Sequence, residues 1–184
     1  MMPQIQDPGR RSCTLGPLAL LAVCAFATCL GITGSSRTLV GLNQEIQYDD
    51  FGFTVVEVRR ATTLEGEAKS AATQAHGVFW IVTMKVANHA KRVPFTFNKH
   101  AVILEDGAGN EFRPSQVGQA AFDAARAGTD PCASPLPAGT SGATEIVFDV
   151  PENVDGILLR ISEGGRLGDV LDNIFYGKKR IQLQ

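Results

Sequence analysis

Residues 79–88 (FWIVTMKVAN) constrain the fold more than any other stretch of the chain. Trp80, Val82, Met84 and Val86 recur at every second position, with Thr83 and Lys85 between them. A period of two puts the apolar side chains on one face of a strand and turns the polar ones to water. β-Branched and aromatic residues favour that pleated state. The pattern returns where Thr144, Ile146, Phe148 and Val150 alternate with Glu145, Val147 and Asp149, up to Pro151. Proline ends such a strand because it has no N–H for the ladder. Further alternating runs are Val93, Phe95 and Phe97, then residues 101–104, then Ile157, Leu159 and Ile161, and finally residues 174–183. In the last of these Lys178, Lys179 and Arg180 predict a charged sheet edge. In residues 51–60 the parity changes, with Phe53 and Val55 on one side and Val56 and Val58 on the other. That switch predicts a bulge or burial on both faces.

Punctuation supports the same class. Asp106-Gly107-Ala108-Gly109-Asn110 has hairpin-loop composition, with two glycines able to take positive φ. Asn88-His89-Ala90-Lys91 reads as a turn. Residues 115–127 are the exception: Ser115 can cap a short alanine-rich helix holding Ala120, Ala121, Phe122 and Ala125. Residues 65–74 are expected to form a flexible loop and residues 129–141 an irregular one. Seven or eight short strands separated by turns predict an all-β fold, a β-sandwich with one short helix in a loop.

The N-terminus carries a different signal. Arg10 and Arg11 precede an uncharged stretch closed by Arg37, and its apolar heart is residues 15–32. As a helix those residues would span about 27 Å, close to the hydrocarbon thickness of a bilayer. Two cations before the segment and one after it favour an N-terminus in the cytoplasm and the rest of the chain outside. Three fates fit the segment. Its length favours an uncleaved anchor; Ala25-Phe26-Ala27 or Thr33-Gly34-Ser35 offers small residues for cleavage; Cys24 and Cys29 raise lipidation. The residues before those cysteines depart from a lipoprotein pattern, which requires Gly, Ala or Ser just ahead of the Cys. The expected organisation is a leader over 1–36, a linker over 37–43 and one sandwich domain over 44–184.

Composition excludes several classes. Acidic residues outnumber basic ones, 19 against 17, and hydrophobic residues make up 44%. A disordered or strongly nucleic-acid-attracting chain needs a bias that is missing here. Cys132 is the one cysteine after the leader, so no disulfide can staple the domain internally and the fold rests on its core.

Beyond the leader, the order of motifs resembles the bacterial domain of unknown function 4352, an exported, immunoglobulin-like (telokin-like) sandwich. The resemblance is carried by residues 77–88 (GVFWIVTMKVAN), by 102–107 (VILEDG) with Asn110-Glu111-Phe112, and by Leu136-Pro137-Ala138-Gly139-Thr140 leading to Val147-Phe148-Asp149-Val150-Pro151. It covers residues 44–183. It implies an N-terminally anchored or lipidated sandwich and brings no catalytic residues with it.

The residues themselves agree on the last point. His76, His89 and His100 are spaced by 13 and 11 positions, which matches no zinc finger or two-histidine helix, even with Asp49 or Asp50 added. Asp130-Pro131-Cys132-Ala133 offers no flanking cation to activate the thiol. Neither a Gly-x-Ser-x-Gly elbow nor a phosphate-cradling glycine loop is present. Asp49-Asp50 and Glu105-Asp106 read as strand-end solvation and turn chemistry. The sequence therefore points to no catalytic, cofactor-binding or metal-binding residue. It points to a non-catalytic interaction module of the cell envelope, with the lipid bilayer as partner through residues 15–32 and an envelope protein as partner of the domain. Loops 61–77 and 128–143 are the expected contact segments. The alternative is a small-ligand carrier or an enzyme with a pocket at one end of the sandwich, recognisable by a pocket that joins Cys132 to a histidine.

Overall fold

The computed structural model describes residues 38–65, 72–126, 128, 130–162 and 179–183. The leader, including the apolar stretch 15–32 and three of the four cysteines, lies outside the described residues. Among the described residues no helix is long and apolar enough to cross a membrane.

Among the described residues nine strands form two sheets. The four-stranded sheet has the order β2–β3–β4–β7, built from Glu45–Tyr48, Phe51–Leu64, Thr73–Asn88 and Ser141–Val150. The five-stranded sheet has the order β1–β9–β8–β5–β6, built from Thr38–Val40, Lys179–Gln182, Leu158–Ile161, Val102–Glu105 and Glu111–Phe112. β1 runs parallel to β9; every other pairing is antiparallel. The fold is the expected β-sandwich.

The alternating side chains meet between the sheets. Trp80, Val82, Met84 and Val86 of β4 pack with Ile146, Phe148 and Val150 of β7 and with Val102, Leu104, Leu159 and Ile181 of the other sheet. The parity switch in β3 is a bulge: the register slips between Val55 and Glu57, and Val56 is left 43% exposed beside a fully buried Val55. The Asp106 hairpin closes as its composition predicts, with Asp106 Oδ1 accepting from the Ala108 and Asn110 amides and Oδ2 from Asn110 Nδ2. Gly109 sits at φ 89°, in the left-handed region.

Four expectations are corrected. Within 61–77, apart from residues 66–71, which lie outside the described residues, the chain is mostly strand. β3 continues to Leu64 and β4 begins at Thr73, a two-stranded ribbon whose polar Thr and Gln residues disguise it. Phe95 belongs to no strand; it makes one isolated bridge to Leu136, and Phe97 packs into the core from a loop. Of the run 174–183, residues 174–178 lie outside the described residues, and the strand there is Lys179–Gln182. It is no edge: β9 lies between β1 and β8, with Arg180 only 7% exposed. The sandwich begins at Thr38, inside the stretch 37–43 expected as a linker.

Candidate functional site

The one α-helix among the described residues, α1 (Gln116–Ala125), closes the free edge of β7 and has a groove at each of its ends. Ser115 caps it from extended backbone, with Oγ accepting from the Gly118 amide at 3.1 Å. Gly118 is the point of closest approach: a Cβ there would lie 2.9 Å from both Phe79 and Val147 side-chain atoms. Gln119 completes the closure by imitating a neighbouring strand. Its Oε1 accepts from the Val147 amide at 3.0 Å, and its Nε2 donates to the Glu145 carbonyl at 3.2 Å. The Ser115 amide adds a bond to the Val147 carbonyl at 2.8 Å. Edge backbone groups that would otherwise seek another chain are thereby satisfied. Beneath the helix, Ala121 and Phe122 cover a second apolar cluster of Leu64, Phe79, Ile81 and Val147.

A groove of about 520 Å³ lies at the C-terminal end of α1, lined by Lys99, Asp123, Arg126, Asp130, Thr144 and Glu145 among others. Its carboxylates are all engaged. Asp130 Oδ2 meets Lys99 Nζ at 2.8 Å and accepts from Thr144 Oγ1 at 2.6 Å, while Oδ1 accepts from the Cys132 amide at 2.8 Å. Burial works to raise the Asp130 pKa, but the Lys99, Thr144 and Cys132 hydrogen bonds outweigh it and hold the carboxyl below its ordinary value. Glu145 is paired with Arg59 at 2.7 Å and with Arg126, and Asp123 accepts from Gln119 at 2.9 Å. Cys132 lies under this groove, 4% exposed and in no disulfide among the described residues. Burial first, and then the Asp130 charge, push its thiol up to about 11 against the pull of Lys99. A thiol so protonated is a packing residue rather than a nucleophile.

A second groove, of about 430 Å³, lies at the N-terminal end of α1, lined by His76, Phe79, Arg113, Ser115, Val117 and Asp149 among others. Asp149 accepts from the His76 amide at 3.0 Å and the Gly77 amide at 3.2 Å, and His76 Nδ1 stands 2.9 Å from its Oδ2. Burial opposes the charged form of Asp149, and the bonds from His76 and Gly77 overcome it, so its pKa is lowered. Position 77 must be glycine, since a Cβ would fall 2.3 Å from the Val150 carbonyl oxygen. The His76 ring is fully exposed.

The three histidines stand apart. His76 pairs with Asp149, His89 with Glu45 at 3.1 Å, and His100 lies in a single 3-10 turn capped by Asn98. Asp49 and Asp50 form the exposed β2–β3 turn. No group of His, Cys, Asp and Glu among the described residues is placed to hold a metal ion. Neither groove joins Cys132 to a histidine. Of the expected contact segments, 128–143 does line the larger groove, through Gly128, Asp130 and Pro131, and the strand end Gln74–Gly77 lines the smaller. Lys99, Gln119 and Glu145 are not legible as site residues in the sequence, because they converge from three separate elements.

The fold and these grooves define a class: a two-sheet β-sandwich whose open edge is sealed by one helix. The chain belongs to the family described as Domain of unknown function (DUF4352), whose model matches residues 40–170. Its fold is similar to that of a secreted protein from Mycobacterium tuberculosis, at 15% identity and TM-score 0.53 over 80% of this chain and 98% of that one. It is also similar to a conserved hypothetical protein from Bacillus anthracis, at 15% identity and TM-score 0.56 over 78% and 94% of the two chains. The yjhA protein from Bacillus subtilis is a third, at 13% identity and TM-score 0.52 over 78% and 98%. No curated protein matches the chain.

Proposed function

We propose that the chain is a non-catalytic contact module of the cell envelope, held outside the cytoplasm by residues 15–32 as an uncleaved anchor, and that its domain engages an envelope protein. One observation carries the non-catalytic part. Asp123, Asp130 and Glu145, the carboxylates of the larger groove, are each already hydrogen-bonded or ion-paired within the domain. General acid–base work needs a group free to exchange its proton at the operating pH, and the lowered pKa of Asp130 opposes that. The secreted relative from Mycobacterium tuberculosis supports the extracytoplasmic address.

The test has two parts. Full chain carrying a C-terminal tag is expected in the membrane pellet at its full intact mass; a soluble fragment beginning near Ser36 overturns the anchor. A photo-crosslinking residue at Val117, 69% exposed at the mouth of the smaller groove, is expected to give one discrete protein adduct in cells. Adducts at neither Val117 nor Lys99 would sink the contact role.

A further inference from the structure

The anchored reading has a geometric consequence for one end of the sandwich. Thr38 opens β1 opposite Lys179 of β9. Lys179 Nζ donates to the Gln47 carbonyl at 2.9 Å and stands 5.4 Å from the centre of the Tyr48 ring. Tyr48 pairs with Phe51, and Phe51 with Asn88. Asn88 Nδ2 in turn donates to the Val93 carbonyl at 2.8 Å. The start of β1 and the loop after β4 therefore share one end of the fold. Five residues separate Ile32 from Thr38, and six extended peptide steps reach no more than about 22 Å. In an anchored chain a tether that short keeps that end within reach of the headgroups, whose layer is roughly 5–8 Å thick per leaflet.

The loop found there suits such a neighbour. Lys91, Arg92, Val93 and Pro94 are all exposed, Val93 by 61%. Neither cation has a hydrogen-bond or ion-pair partner among the described residues. The loop is nevertheless fixed from below. Asn88, 1% exposed, also donates to the Leu136 carbonyl at 3.0 Å and accepts from the Ala90 amide at 3.0 Å, and Ala90 is buried. A preorganised tip loses little freedom on docking. Two adjacent free cations beside a protruding apolar residue match an anionic lipid surface, each cation favouring the docked state about fivefold. The exposed acidic turn Asp49-Asp50 lies at the same end, with Glu45 nearby, and opposes docking. The far end carries the exposed Glu152 and Asp155.

We propose that the Lys91–Arg92–Val93 loop docks on anionic lipid headgroups and so orients the tethered sandwich, with the end bearing Glu152 and Asp155 turned away from the membrane. The proposal rests on the anchored reading of residues 15–32.

The experiment is hydrogen–deuterium exchange on the full chain in lipid nanodiscs, neutral phosphatidylcholine against the same lipid with about 30% phosphatidylglycerol. The Lys91, Arg92 and Val93 amides are expected to exchange at least about tenfold more slowly in the anionic discs, an effect abolished by about 0.5 M salt. Lys91→Glu with Arg92→Glu should remove the protection without moving the urea midpoint, because both side chains are exposed. Asp49→Asn with Asp50→Asn should strengthen it. Equal exchange in both discs, with the chain still co-purifying with them, overturns the docking and leaves the anchor standing. A leaderless mass recovered away from the discs overturns the anchor and the docking together. Protection that appears in detergent and grows with protein concentration assigns the loop to a second copy of this chain instead, and overturns the lipid.

Discussion

The two sheets of this sandwich are held by different forces. The four-stranded sheet is long and apolar on both faces: Val82, Met84, Ile146 and Phe148 fill the interior, while Phe79, Ile81 and Val147 lie under α1 on the outside. In the five-stranded sheet no strand exceeds four residues among those described. Its inner face contributes Val102, Leu104, Leu159 and Ile181, but its outer face carries a charge network. Arg180 Nη2 meets Glu105 Oε2 at 2.9 Å, Arg160 Nε lies 3.7 Å from the same oxygen, and Arg160 also pairs with Glu111. Arg180 Nε is buried without a hydrogen-bond partner among the described residues. Burial of apolar area is non-directional and tolerates imperfect geometry, whereas a buried ion pair helps only while every member is present. The first sheet should therefore fail gradually and the second abruptly.

The largest effect tests the first half of that contrast. Phe148→Ala, at a fully buried interior position, is expected to destabilise the domain by about 3–5 kcal/mol in urea unfolding. Phe79→Ala should cost less, about 2–3 kcal/mol, because α1 can settle onto the vacated space. An equal loss at both positions would make the helix as integral as the interior. The second half is tested by Arg180→Ala, which leaves a largely buried Glu105 with only the longer Arg160 contact and should cost about 2–4 kcal/mol. Arg180→Met combined with Glu105→Leu should restore stability to near that of the parent. A loss below about 1 kcal/mol for the single variant would show that charge pairing does not hold this sheet.

Acid sharpens the same comparison at smaller amplitude. Asp130 and Asp149 both belong to the four-stranded half and both have lowered folded pKa values. Their stabilisation is complete above the unfolded value, 3.8, and is lost as pH falls from there through the lower folded values. The urea midpoint should fall on acidification below about pH 4. The fall should be shallower in Asp130→Asn, which already lacks the charge and is about 1 kcal/mol less stable at neutral pH.

The contrast also explains what can be read from the sequence. Period two in β4 and β7 reports a face that must be buried, and the residues it picks out do form the core. The Ser115 cap and the Asp106 hairpin are legible because their bonds reach only two to four residues along the chain. Arg180 reads as an edge charge because its partner, Glu105, is 75 residues away in sequence and meets it only across β8. The β3–β4 ribbon reads as a loop because, apart from Leu64 and Ala75, which join the cluster under α1, its residues beyond Ala61 pair with each other rather than with a core. The larger groove is invisible for the same reason as the charge network. Lys99, Asp123, Asp130 and Glu145 acquire meaning only when a 3-10 turn, a helix, a loop and a strand converge.

The smallest effect ties the buried thiol to the two-sheet contrast. With a pKa of about 11, Cys132 is about one part in a thousand thiolate at pH 8, and only 4% of its surface is exposed. Iodoacetamide should therefore modify it in the native chain far more slowly than in urea, followed by mass spectrometry of its peptide so that the leader cysteines do not interfere. Its Sγ would lie 3.1 Å from a Cβ at Gly142 of β7, so the thiol can be reached only when the 131–133 turn lifts from the four-stranded sheet. Leu136→Ala, which removes a buried side chain packed against the same Gly142 position, loosens that contact locally and should raise the labelling rate even where most molecules remain folded. Arg180→Ala acts on the other sheet and should raise it only in proportion to global unfolding. If both variants speed labelling in step with their loss of stability, the two sheets open as one unit, and the difference between them is one of energetics alone.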